Sequence, residues 1–156
     1  MRSVFSKAII GFTFTAIAVF GADNTLGTWK LNTEKSKYTP SPMPVKTLTL
    51  TREAADGGVK QTTTGEQADG TAINGSYTAK YDGTEATVNG NAPYDTIAFK
   101  QVNANTLTDE RKKTGGSYKA TGRWVVSNGG KTLTITAKGT NGSGKEFTSI
   151  FVFDKQ

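Results

Sequence analysis

Few side chains in this sequence can do chemistry, and their types narrow the options at once. The 156 residues include no His and no Cys. Ser-His-Asp and Cys-His nucleophilic sites are therefore excluded, as are His-ligated zinc, His-ligated haem and all thiolate chemistry. Carboxylate, Tyr, Lys or Ser-Lys chemistry remains. The adjacent acids Asp109 and Glu110 fall in a segment that reads as a strand, where neighbours point to opposite faces. They cannot flank one scissile bond as a glycosidase pair does. The glycine-rich stretch 139–144 reads as a hairpin rather than a phosphate cradle, because a strand and not a helix follows it. No catalytic residue, metal-ligand set or cofactor is assigned.

The residue pattern points instead to binding. If Trp29 and the apolar members of each alternating segment face inward, the same register turns Gln61, Tyr77, Tyr81, Asp109, Arg111, Tyr118 and Trp124 inward. Such a surface, mostly apolar with a few fixed polar groups, has the character of a small-molecule site. Arg111 shares a face with Leu107 and Asp109, so if Leu107 is buried the guanidinium is inside and needs an anionic partner. Two partners satisfy it: Asp109 as a structural ion pair, or the carboxylate of a ligand. Tyr77, Tyr81 and Trp124 likewise have two readings, as filling for a narrow barrel or as a platform for a ligand.

The elements that must hold these residues are strands. Turn pairs recur at Asp56-Gly57, Asp69-Gly70, Asp82-Gly83, Asn89-Gly90, Gly115-Gly116, Asn128-Gly129 and Asn141-Gly142. Asn-Gly and Asp-Gly suit the positive φ angles of tight hairpins, and the intervening segments are Thr-rich, β-branched and aromatic. Leu48 and Leu50 alternate with Thr47, Thr49 and Thr51, and Leu133, Ile135 and Ala137 alternate with Thr132, Thr134 and Thr136. Period two with one apolar face describes a sheet buried on one side and wet on the other. The fold expected is all-β, an antiparallel up-and-down meander of about eight to ten strands closing into a small barrel. Residues 32–44, with Pro40, Pro42 and Pro44, are expected to form an irregular loop across one end. An outer-membrane barrel is disfavoured because the outward positions are Thr and Lys.

Arg2 and Lys7 precede an uncharged, mostly apolar run over residues 8–20 that ends in Gly21 and Ala22. That is the layout of a cleavable secretory signal over residues 1–22, ahead of a single domain over 23–156. The run is shorter than the roughly 20 residues of a permanent membrane anchor. Loss of Arg2 and Lys7 takes the formal charge from +6 to +4. The remaining lysines are scattered singly, a pattern that protects sheet edges rather than one that tracks nucleic acid. Val125, Ile150 and Val152 lie opposite Trp124, Phe151 and Phe153, so the outer face there is expected to be covered by the Pro-rich loop or by a second copy of the chain.

Gly27-Thr28-Trp29-Lys30-Leu31 resembles the Gly-x-Trp signature that opens the barrel in lipocalins and fatty-acid-binding proteins, the calycin group. The resemblance implies that Gly27 and Trp29 sit at the closed end, commonly with an Arg from a late strand, here Arg123 or Arg111, against the indole. The chain lacks the helix pair of the fatty-acid-binding proteins, and the C-terminal helix and disulfide of lipocalins. It is more similar to small bacterial secreted lipocalin-like proteins. The expected function is exported, periplasmic or secreted binding of a small apolar or amphipathic molecule, with Arg111, Tyr77, Tyr81, Gln61, Tyr118 and Trp124 as ligand contacts. The alternatives are a filled barrel acting through its loops and outer surface, as an inhibitor, adhesin or envelope component, and a barrel enzyme of isomerase or cyclase type.

Overall fold

The computed structural model describes residues 21–156, so the leader expected over 1–22 lies almost wholly outside the described residues. Twelve strands follow in chain order: β1 (Gly27–Leu31), β2 (Lys37–Thr39), β3 (Val45–Ala55), β4 (Gly58–Gln67), β5 (Ala72–Lys80), β6 (Asp82–Thr87), β7 (Asn89–Gly90), β8 (Thr96–Asn103), β9 (Thr106–Lys112), β10 (Lys119–Ser127), β11 (Thr132–Thr140) and β12 (Glu146–Lys155). Every pairing is antiparallel, and the order β6-β8-β9-β10-β11-β12-β1-β3-β4-β5-β7 wraps into an almost closed barrel. The two ends of the chain meet where β12 pairs with β1, Leu31 opposite Phe153. Closure of this kind removes exposed sheet edges without needing disulfides.

The count exceeds the ten strands legible between turn signals because two paths are interrupted. β2 forms inside the Pro-rich segment expected to be irregular, and pairs Lys37 to Thr39 with Ile150 to Thr148 of β12. Three residues suffice there, since the prolines begin only at Pro40. Asp82-Gly83, at the start of β6, and Asn89-Gly90 are also strand rather than turn. β7 pairs with Gly75 and Ser76 of β5, and Gly90 (φ +101°) lies so close that a Cβ there would sit 2.3 Å from the Asn74 carbonyl oxygen. Only glycine permits that approach. Between Asp82 and Thr87 the same stretch pairs with β8 instead, which leaves a seam between β5 and β6.

The alternating pattern works as the physics demands. On β10 the order is Ala120 buried, Thr121 exposed, Trp124 buried, Val126 buried, with Lys119 and Arg123 outward. Trp29, Phe99, Leu107, Leu133 and Phe153 are wholly buried in one central cluster, and a smaller cluster of Tyr118, Ala120, Ala137 and Phe147 lies at one end with Tyr38 and Tyr94 against it. The Pro-rich loop does not cover the outer apolar residues: Ile150 is 43 % exposed, and Val125 and Val152 are partly exposed. The loop runs to the barrel mouth instead, where the Ala68 amide donates to the Pro44 carbonyl at 2.9 Å.

Candidate functional site

Two arginines lie inside the barrel. Arg52 follows Leu48 and Leu50 on the inward face of β3 and is only 2 % exposed. It was not anticipated from the sequence, although the parity that placed Arg111 inside applies equally to it. Its Nε donates to Thr25 Oγ1 at 3.3 Å, its Nη1 to Gln61 Oε1 and at 3.5 Å to the Tyr77 hydroxyl, and its Nη2 to the Tyr81 hydroxyl at 3.2 Å. The guanidinium carbon stands 4.6 Å from the Trp124 ring centroid and 5.5 Å from that of Phe99. Among the described residues no carboxylate bonds to Arg52 directly. Asp23 reaches it through the Tyr81 hydroxyl, which donates to Asp23 Oδ2. Burial raises the Tyr77 pKa, and it raises that of Tyr81 to about 12 against the opposing pull of Arg52. Both hydroxyls stay protonated at neutral pH.

This end of the barrel is sealed. Thr25 lies wholly buried and its carbonyl accepts from Trp29 Nε1 at 2.8 Å, while the Asn24 amide donates to the Ala104 carbonyl. The cation over the Trp29 ring is Lys155 of β12, with Nζ 4.4 Å from the centroid, rather than an arginine. Arg123 faces outward, as its adjacency to inward Trp124 requires, and Arg111 lies with a different cluster. Gly27 (φ +114°) leaves the space that Lys155 fills, since a Cβ there would meet Nζ at 2.6 Å.

Arg111, on β9, is held differently. Its Nε and Nη2 grip Asp109, the closest contact being Nη2 to Oδ2 at 2.7 Å, and the Asp109 side chain is wholly buried while that of Arg111 is 13 % exposed. Trp124 Nε1 also donates to Asp109 Oδ2. Burial opposes the charge on Arg111, but the Asp109 carboxylate, its hydrogen bond and the neighbouring Tyr94 and Tyr118 together outweigh it, so the guanidinium pKa rises. Room for this fork comes from Gly122, the cross-strand partner of Asp109: a Cβ there would sit 2.7 Å from Asp109 Oδ1 and 2.9 Å from Arg111 Nη2.

Beside Arg111 opens a cavity of about 390 Å³, whose walls include Leu50, Gln61, Arg111, Tyr118, Trp124, Phe147 and Phe153. Its size falls in the range of about 300–1,000 Å³ typical of small-molecule sites. Asp109 occupies Nε and Nη2 of the guanidinium and leaves Nη1 toward other acceptors. Tyr94 and Tyr118 adjoin it, the Tyr94 centroid 5.6 Å from the guanidinium carbon. Burial raises both tyrosines, Tyr118 to about 12, so each hydroxyl remains a donor at neutral pH. Of the residues expected to contact a ligand, Gln61, Arg111, Tyr118 and Trp124 line the cavity. Tyr77 and Tyr81 point inward too, but accept from Arg52 and do not line the cavity. Tyr94 escaped notice because it lies in an irregular segment, outside any alternation.

A strap over residues 91–94 borders the mouth. Asn91 holds one end to β5, its side chain accepting from the Asn74 amide at 2.9 Å and donating to the Ala72 carbonyl at 2.7 Å. Asp95 holds the other, accepting from the Thr114 amide at 2.9 Å.

No family model matches this chain, and no curated protein matches it. Among solved structures it is similar to a redesigned β-barrel, mFAP1, bound to DFHBI, at 16 % identity over 82 % of this chain and 94 % of that one, with a TM-score of 0.41.

Proposed function

We propose that this chain is an exported calycin-like binding protein that holds a small amphipathic molecule in the barrel mouth, its apolar part against Leu50, Phe147 and Phe153 and its anionic end on Arg111. The observation that carries this reading is the cavity of about 390 Å³ with an ion-paired guanidinium at its wall that keeps Nη1 free of Asp109. A partly buried guanidinium that Asp109 holds through only part of its donors favours an anionic acceptor, because charge-assisted hydrogen bonds strengthen where water is sparse. The hydroxyls of Tyr94 and Tyr118, protonated at neutral pH, add neutral donors beside it. Export is supported by the charge and apolar pattern of residues 1–22.

Native mass spectrometry of the protein purified from its own exported fraction without denaturant tests this, with organic extraction of whatever it carries. A small molecule should accompany the protein, whose N-terminus should lie near residue 22 or 23. An apo mass with no uptake from a mixture of amphipathic acids would defeat the reading and leave a barrel that acts through its outer surface.

A further inference from the structure

One side of the cavity is aromatic. Four rings run in contact from β2 to the strap: Tyr38 stacks on Phe147 at 5.7 Å between centroids and 13° between planes, Phe147 meets Tyr118 at 5.9 Å, and Tyr118 meets Tyr94 at 5.5 Å. Arg111 ends the row over Tyr94. The lining also includes amides and hydroxyls, among them Gln61, Thr63, Gln67, Asn91 and Asn141. A flexible alkyl chain laid there gains burial alone, since it has no ring to stack on the row. It would also surrender its own rotational freedom on binding. A rigid ring system loses little freedom and stacks on the aromatic row.

Resting on the binding reading above, we infer that the ligand is a planar aromatic anion, its acid group on Arg111 and its ring along Tyr94, Tyr118 and Phe147. Two aromatic contacts beyond simple burial correspond to roughly a tenfold preference over an alkyl acid of equal size.

The test is titration calorimetry of the purified protein with naphthoate, with undecanoate of the same carbon number, and with uncharged naphthamide, alongside ligand proton NMR. Naphthoate should bind about tenfold tighter than undecanoate, with its ring protons shifted upfield by the stacked tyrosines. Tyr94→Leu should remove that preference, and Tyr94→Phe should keep it. If undecanoate binds as tightly or more tightly, the aromatic inference fails while the anion-binding reading stands. Equal binding of naphthamide would overturn the anionic part and the role of Arg111, and failure of all three to bind would overturn the binding reading itself.

Discussion

Arg52 and Arg111 both sit inside the same barrel, but their surroundings differ in kind. Arg52 has four neutral acceptors, Thr25, Gln61, Tyr77 and Tyr81, and two ring faces, and does not line the cavity beside Arg111. Arg111 has a single carboxylate partner and an open space beside it. The closed end therefore uses its arginine to satisfy buried polar groups, and the open end keeps part of a guanidinium in reserve. The two centres also share a wall. Trp124 stacks on Arg52 with its ring and donates to Asp109 with its Nε1, so the interior holds two arginines around one wholly buried carboxylate.

The sharpest way to break this comparison is Asp109→Asn, which leaves Arg111 buried without its counter-charge. We expect a loss of about 4 kcal/mol in urea unfolding. Adding Arg111→Leu should recover about half of it, because a neutral pair needs no compensation. The double variant should be folded yet bind no anionic ligand. A double variant as unstable as the single would show that the pair acts only as structural glue. Arg52→Met comes next, at about 3 kcal/mol, since Gln61, Tyr77 and Tyr81 lose a buried partner together. Its folded fraction should still take up ligand, which calorimetry reads directly, and lost affinity in a stable protein would show that the two ends are not separate.

Gly122→Ala sharpens the contrast without touching a charge. The added methyl collides with the Asp109–Arg111 fork, and should cost about 2 kcal/mol and weaken binding. The smallest expected effect is on alkaline stability. Tyr81 at one end and Tyr118 at the other both have folded pKa values of about 12, above the ordinary 10.0. The unfolded chain therefore releases these protons first as pH rises, so stability is full below about pH 10 and falls between 10 and 12. Melting temperature against pH checks the sign. Tyr118→Phe should flatten the fall, and bound ligand should oppose only the Tyr118 part.

Much of this architecture is written locally. Asp56-Gly57 and Asp69-Gly70 mark hairpins, and Gly57 and Gly70 do adopt positive φ. Leu107, Asp109 and Arg111 share a face by parity alone, and so do Leu48, Leu50 and Arg52. The same parity forbids Arg123 from joining Trp124 inside, so the cation over Trp29 had to come from elsewhere. Lys155 fills that place because β12 closes the barrel against β1, a pairing between residues at opposite ends of the chain.

The sequence by itself determined the class of fold, most of the turns, the inward face of each regular strand and the exclusion of His and Cys chemistry, because these depend on residue type and a period of two. Depth along the barrel was decided only by the tertiary structure. Tyr77, Tyr81 and Tyr118 are equivalent by parity, yet the stagger of the strands sends the first two to the sealed end with Arg52 and the third to the cavity with Arg111. Stagger is a sum of long-range pairings and of near approaches such as Gly90 against Asn74, and no local window of sequence contains that sum.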